Sequence, residues 1–506
     1  MNKFAHLDRR HVWHPFTQMR DWLKREPIVI SSGKGAVLRD VEGREYLDAN
    51  SSIWTNLHGH SHPKINAAIG RQLKKISHSS ALGLANEPAS ILAAKLVEHA
   101  NPRSKTTPHS ALLIPHLTRV FFSDDGSTAM EVALKLAYEF HRRTGRGNKP
   151  RFLSLQGAYH GDTVGAVSLG HIDLFHRAYA GLLFKSDQVM APYCYRCPFN
   201  KAKPDRADAR EYRKCNWECV GKVEQKFSAR KKKGESYAGF VFEPLMQGAA
   251  GMIPQPAGWL RRVTEIAGGH GALLIADEVM TGFGRTGVGS VEHGTLGAES
   301  LFASHQEGVQ PDFVAVAKGL TGGYLPMAAT LTTQAVFDAF LGEYGEFKTF
   351  FHGHSFTGNQ LGSAAALASL DLLDSPASIK ARRMLETTLR DELKSLWSLP
   401  NVGDVRQVGL VVGVELVKDW RTRQPFDLRE KAGIRVCEAM AKRGVLTRPI
   451  GSVIVLMPPY CTTSAQVRKM VAALHESIIE VLGVGRNDSV GRASVPARIV
   501  AKSMSR

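Results

Sequence analysis

No stretch of this chain comes near the roughly 18 consecutive apolar residues that a membrane-crossing helix needs, which excludes a bundle of such helices. Residues Met1 to Arg20 mix His, Asp, Arg and Trp and lack the apolar core of a secretory leader, so a cytoplasmic protein is expected. Cysteine is scarce, six in 506 residues, which excludes a disulfide framework. Acidic residues are the minority, 47 Asp and Glu against 65 Lys and Arg, a formal charge of +18. Much of that excess is local. Residues 201–233 carry twelve Lys or Arg against five Asp or Glu, and residues 486–506 carry five against one. No basic helix with interleaved aromatics stands out elsewhere, so no nucleic-acid partner is expected, while anionic substrates suit the charge. With 43% hydrophobic and 22% charged residues the chain has globular composition. Its length suggests about three units, with ample core.

What is present is an alternation of short apolar runs and helical patterns. Residues 119–123, 151–155, 239–243, 272–276 and 312–317 read as buried strands. Between the first two, Thr128, Ala129, Val132, Ala133, Leu136, Ala137 and Phe140 recur at helical spacing. Such alternation predicts an α/β fold with a mostly parallel sheet covered on both faces. Ligands of such sheets sit beyond the carboxyl ends of the strands. Residues 100–118 and 185–236 read as loops or an insert. From about 360 the pattern changes to helices near 359–373, 376–397 and 429–443, a strand at 452–457 and a last helix at 464–482. The expected division is an N-terminal segment (1–80) contributing to the small domain and substrate pocket, a large domain (81–355), a smaller α+β domain (356–485) and a tail (486–506) without fixed structure.

Chemistry-bearing residues gather at the predicted strand ends. Ser123-Asp-Asp-Gly-Ser-Thr-Ala129 turns from strand into helix; Gly126 and Ser127 would cradle a phosphate there, unless the turn is a simple helix cap. Tyr159, beside glycines in Gly157–Thr163, is placed to stack on a flat ligand or to serve the core. Asp277 closes an apolar strand, so its buried carboxylate needs a cation or a protonated ring nitrogen. Lys318 ends another apolar strand before a glycine-rich turn; a lysine in apolar surroundings becomes a nucleophile or Schiff-base former. Phe351-His-Gly-His-Ser-Phe-Thr-Gly-Asn359 is a further polar turn before a helix. A phosphate site, a stacking aromatic, a buried acid and an activated lysine together are what pyridoxal phosphate requires.

On these residues the sequence resembles the class III (ω-type) aminotransferases of pyridoxal-phosphate fold type I, from about His11 to Leu482. Asp277-Glu-Val279, Gly282-Phe-Gly-Arg-Thr-Gly287 and Lys318 are broad features of that family. Trp13–Met19, Leu57-His-Gly-His-Ser-His-Pro63, Glu243–Gly248, Thr447–Gly451 and Leu456–Pro459 are similar to its biotin-synthesis branch. The resemblance implies amino transfer to the 7-keto carbon of 8-amino-7-oxononanoate, with adenosylmethionine or lysine as donor. The alternative within the family is an ω-aminotransferase acting on β-alanine, 4-aminobutyrate, ornithine or lysine. It implies that Lys318 bonds the cofactor and shuttles a proton, Asp277 pairs with the pyridine nitrogen, Tyr159 lies against the ring, and Gly126 and Ser127 hold the phosphate. It implies a homodimer with shared sites, in which His354 and Ser355 reach the partner's phosphate and Gly353 lies near its substrate. Arg448 would clamp the keto acid's carboxylate, a task suited to a bidentate guanidinium. Phe16, Ile53 and Trp54 would line the substrate pocket; the family commonly has Tyr at the first of these positions and Trp at the second.

Three other patterns compete. Gly282–Gly287 matches a dinucleotide fingerprint by letter, but Val288–Gly294 do not open a helix, so nicotinamide binding is not expected. His58, His60 and His62 alternate without a carboxylate or cysteine among them, so no metal is expected there. Cys194-Tyr-Arg-Cys197 and Cys215-Asn-Trp-Glu-Cys219 approach zinc-ribbon spacing; free thiols are the expectation and a structural metal the alternative.

Overall fold

The computed structural model describes residues 2–101, 116–147, 150–287 and 300–483. The residues around 288–294, the tail and most of the expected 100–118 loop lie outside the described residues. Seven strands form the central sheet, in the order Leu117–Ser123, Ala328–Thr333, Phe313–Val316, Leu273–Asp277, Tyr237–Phe242, Arg151–Leu155 and Asp187–Val189. Ala328–Thr333 runs antiparallel to both neighbours. The pairings between the other neighbouring strands are parallel. All six residues of Tyr237–Phe242 are buried, as a sheet covered on both faces demands. Ala328–Thr333 was not foreseen: its sequence Ala-Ala-Thr-Leu-Thr-Thr carries a single large apolar side chain.

The helix Gly126–Arg143 crosses one face of this sheet. Asp125 caps it, accepting from the Thr128 backbone while the Thr128 hydroxyl returns to the Asp125 backbone, a reciprocal capping box. Of the expected stripe, Ala129, Val132, Ala133, Leu136, Ala137 and Phe140 are buried while Thr128, engaged in the cap, is half-buried; His141, Arg142 and Arg143 complete the last turn, where cations suit the helix dipole.

The predicted insert at 185–236 needs correction. Asp187–Val189 is the sheet's edge strand, and the helix Glu218–Lys231 buries Cys219, Val223 and Phe227 among the core residues of the neighbouring strands. A three-residue edge strand is too short to announce itself as a run. Further along the same segment, Arg196 pairs with Glu415 at 2.7 Å, and Arg406 binds Glu415 at 2.6 Å and Asp404 at 3.1 Å. Arg406 also donates to the Gly251 and Met252 carbonyls, joining this segment, the second sheet and the loop at 251–252.

That second sheet is antiparallel: Val402–Val408, Val411–Asp419, Val453–Leu456 and Pro449–Ile450. The helices Pro376–Leu393, Ala432–Lys442 and Ser464–Leu482 accompany it, close to where periodicity placed them. Near the N-terminus, Ile30–Lys34, Val37–Asp40 and Glu45–Asp48 form an antiparallel meander. Glu45–Asp48 then pairs in parallel with Val445–Leu446, nearly 400 residues away in sequence, so both chain ends build one sheet. No helix among the described residues is long and apolar enough to cross a membrane.

Candidate active site

Because the parallel strands share a direction, their carboxyl ends converge on one edge of the sheet. The loops leaving Ser123, Leu155, Phe242, Asp277 and Val316 line a cavity of about 740 Å³ there. Gly126, Ser127, Tyr159, Asp277 and Lys318 all line it, as do Trp54, His160, Thr163 and Glu243. A larger adjoining cavity, about 1620 Å³, is lined by Phe16, Ile53, Trp54, Tyr159, Lys318 and Arg448, among others.

Lys318 stands half-buried between the two cavities, its amine withdrawn from water. Burial holds its amine below the usual lysine range, and the nearby Asp277 and Glu243 carboxylates offset part of that. A fraction of neutral amine is thereby available for nucleophilic and basic work. Its backbone is left-handed, φ 32°, and its Nζ lies 5.1 Å from the centre of the Trp54 ring. Asp277 is also buried; one oxygen bonds His160 Nδ1 at 2.7 Å and the other accepts from the Val279 backbone at 3.1 Å.

At the helix start, Ser127 Oγ bonds Thr163 Oγ1 at 2.9 Å and accepts from the Thr163 N–H at 2.9 Å. Two positions there permit only glycine. A Cβ on Gly126 would stand 2.6 Å from Val279 Cγ1, and one on Gly161, where φ is +123°, would overlap the Ser127 side chain. The result is a close-packed concavity at a helix N-terminus, which favours a phosphate. Tyr159 donates to Asp162 at 2.7 Å, and burial together with that carboxylate pushes its hydroxyl well above the usual range.

On the far wall Arg448 is exposed to the larger cavity and donates to the Phe16 carbonyl at 3.0 Å, which leaves guanidinium donors free for a carboxylate. Ser51, Ser52, Ile53 and Trp54 are four successive left-handed residues, with φ of 47°, 48°, 65° and 68°. Each non-glycine residue in that region costs on the order of 1 kcal/mol, so only surrounding structure holds them. This turn presents Ile53 and Trp54 to the cavity.

Gly353, His354 and Ser355 line neither cavity. His354 Nδ1 instead bonds Asp124 at 2.9 Å, at the rim, and the Ser355 carbonyl accepts from His78. Two further groups were not singled out from the sequence. His160 touches Asp277 across 117 positions, which no local pattern reveals. Glu243, noted only as part of a motif, is a buried carboxylic acid pushed up to about 7 by burial, with Oε2 accepting from Gly248 and Oε1 without a partner.

The competing motifs have other duties. Arg285 of the glycine-rich Gly282–Gly287 turn is buried and ties two distant loops together through the Pro458 and Asn56 carbonyls. His58 bonds Ser369 at 2.9 Å and His60 bonds Asp48 at 2.9 Å. Among the described residues no group of three or more His, Cys, Asp or Glu is arranged to hold a metal.

The family model for class-III aminotransferases matches residues 19–478. The chain is a class III aminotransferase. It is 48% identical over 476 residues to the adenosylmethionine-8-amino-7-oxononanoate aminotransferase of Geobacter sulfurreducens, covering 94% of this chain and 97% of that one. The crystal structure of the protein of that name from Methanocaldococcus jannaschii superposes with a TM-score of 0.82 at 39% identity, covering 94% and 99% of the two chains. An amine transaminase from an uncultivated Pseudomonas species, in its PLP-bound form, superposes with a TM-score of 0.81 at 32% identity over 93% and 99%. As an aminotransferase the protein acts on small molecules, and its family uses pyridoxal phosphate.

Proposed function

We propose that this aminotransferase transfers an amino group to the 7-keto carbon of 8-amino-7-oxononanoate, with adenosylmethionine or lysine as donor, and works as a homodimer. The observation that carries this is the placement of Lys318 between a cavity holding Asp277 and the Ser127 turn and a second cavity holding Arg448. The names of its relatives support the acceptor.

The residues present fit pyridoxal phosphate. A glycine-walled helix start suits the phosphate, a buried carboxylate suits a protonated pyridine nitrogen, and a depressed lysine suits the carbonyl carbon. When bound, that group supplies the electron sink through which an amino group passes between two substrates. Gly126 and Ser127 would hold its phosphate, Asp277 its ring nitrogen and Tyr159 its ring. His160 bonds Asp277 at 2.7 Å and so keeps that carboxylate oriented. Lys318 would bond the group's carbonyl carbon, and its Nζ would move a proton from and to the donor carbon, as general base and then acid. Arg448 would bind the acceptor carboxylate, and the apolar side chains of Phe16, Ile53 and Trp54 would exclude water around the remainder. His354, Ser355 and Gly353 would complete the partner's site.

The test begins with the purified protein in its pyridoxamine form. Adding 8-amino-7-oxononanoate should restore the absorption of the pyridoxal form; adenosylmethionine and lysine, offered in turn, then identify the donor. A cofactor-loaded protein that shows no return would refute this acceptor and move the substrate to β-alanine, 4-aminobutyrate, ornithine or lysine.

A further inference from the structure

The left-handed turn Ser51–Trp54 sits against the proposed substrate pocket in a conformation that Ile and Trp disfavour. Its own backbone supplies three short-range bonds, Trp54 N–H to the Asn50 carbonyl at 2.9 Å and the Thr55 and Asn56 N–H groups to the Ser51 carbonyl, each at 3.0 Å. The Ser51 hydroxyl donates to the Met457 carbonyl at 2.6 Å, and three further bonds converge on one buried side chain. Asp48 accepts from the Ser52 N–H at 3.0 Å, the Ser52 hydroxyl at 2.8 Å and the Asn50 N–H at 3.3 Å. Its fourth donor is His60 Nε2, at 2.9 Å.

The hydrogen on His60 is fixed by its neighbours. The Gly59 N–H can only donate, so Asn56 Oδ1 accepts it at 2.8 Å. Asn56 Nδ2 then faces His60 Nδ1 at 2.9 Å and donates to it. His60 Nδ1 is therefore the acceptor, and Nε2 carries the hydrogen that Asp48 receives. Burial pushes the Asp48 carboxyl up, yet the hydrogen bonds from His60 and Ser52 outweigh it and hold the group below the usual carboxylate range. The chain of contacts ends at the reacting lysine: Asp48 holds Ser52 and Asn50, Asn50 accepts from Trp54 Nε1 at 2.8 Å, and the Trp54 ring lies 5.1 Å from Lys318 Nζ.

We propose that Asp48 and His60 are positioning residues, a buried carboxylate and the half-buried imidazole bonded to it, which hold the strained turn and thereby set Ile53 and Trp54 in the substrate pocket beside Lys318. This rests on the proposed amino transfer only in taking that cavity as the substrate's.

The experiment uses holoenzyme carrying Asp48→Asn, His60→Ala or His60→Gln. Hydrogen exchange of the amides of residues 50–56 reports the turn directly, and steady-state kinetics with donor and acceptor report its consequence. Asp48→Asn and His60→Ala should speed that exchange and raise KM about tenfold with kcat within about threefold. His60→Gln, which keeps an N–H toward Asp48, should stay near the wild type in both. Unchanged exchange in Asp48→Asn and His60→Ala overturns the anchoring. Faster exchange with unchanged KM, or a loss of kcat that tracks only the fraction of folded protein, overturns the positioning role. A wild type that fails to aminate 8-amino-7-oxononanoate refutes the substrate reading alone, and the exchange comparison still decides the anchoring.

Discussion

At the scale of single residues, chemistry here follows from burial. Lys318 is driven toward its neutral form by loss of water, and among the described residues no other lysine lines the smaller cavity. Lys318→Ala should therefore abolish turnover while pyridoxal phosphate still binds noncovalently through the phosphate turn; normal transamination by that variant would end the assignment. Arg448 makes one bond to its own chain, so Arg448→Ala should act on substrate rather than on folding. Loss of a charged hydrogen bond is worth roughly 2 kcal/mol, or about thirtyfold in the acceptor's KM. An unchanged KM would remove Arg448 from the clamp. Glu243 predicts a pH effect. Its ordinary value of 4.5 rises to about 7 in the fold, so the folded protein holds this proton more tightly than the unfolded chain. The stability it contributes is complete below about 4.5 and is lost as pH climbs through about 7, on the order of 3 kcal/mol in all. Glu243→Gln has no such charge to bury. Denaturant midpoints should thus favour the variant over wild type more strongly at pH 8 than at pH 5. An equal gap at both pH values would show that the buried acid does not take up a proton.

At the scale of elements, legibility depended on how local the cause was. Arg151–Leu155 and Leu273–Asp277 were readable because a strand buried on both faces is a run of apolar residues, and the helix 126–143 because its stripe and cap are both local. The strand Ala328–Thr333 escaped notice because alanine and threonine are buried there by their neighbours, not by their own hydrophobicity. Lys318 and Asp277 stood out at strand ends, whereas the His160–Asp277 bond joins different strand-end loops and has no sequence period. The turn Ser51–Trp54 opposes the propensity of its own residues, so no local rule would find it. Close approach of two elements also yields a prediction. Gly161 packs so tightly against Ser127 that Gly161→Ala must displace the helix start or its own loop. Affinity for pyridoxal phosphate, measured by absorbance titration, should fall at least tenfold, about 1.4 kcal/mol. Unaltered affinity would show that the 161–127 contact is not part of the phosphate cradle.

At the scale of the whole molecule, the unresolved relation is between the 353–355 turn and the cavities. In one chain it reaches only the rim, through His354 and Asp124, while large apolar side chains beside it in sequence stand in solvent: Phe351 is 74% exposed and Phe356 59%. Exposed apolar surface of that kind is what a subunit contact covers. If the proposed homodimer shares its sites across a two-fold axis, each site takes Lys318 from one chain and Ser355 from the other. That geometry makes two inactive proteins complement each other. Co-expressing differently tagged Lys318→Ala and Ser355→Asp chains yields hybrid dimers. In each hybrid, one site combines both lesions and the other combines neither. The purified hybrid should then show about half the wild-type activity, although each parent homodimer is inactive. Were the 353–355 turn to serve its own chain's site, each site of the hybrid would keep one lesion and the activity would stay at the parental level. Restored activity in the hybrid is thus a signature that only shared sites can produce.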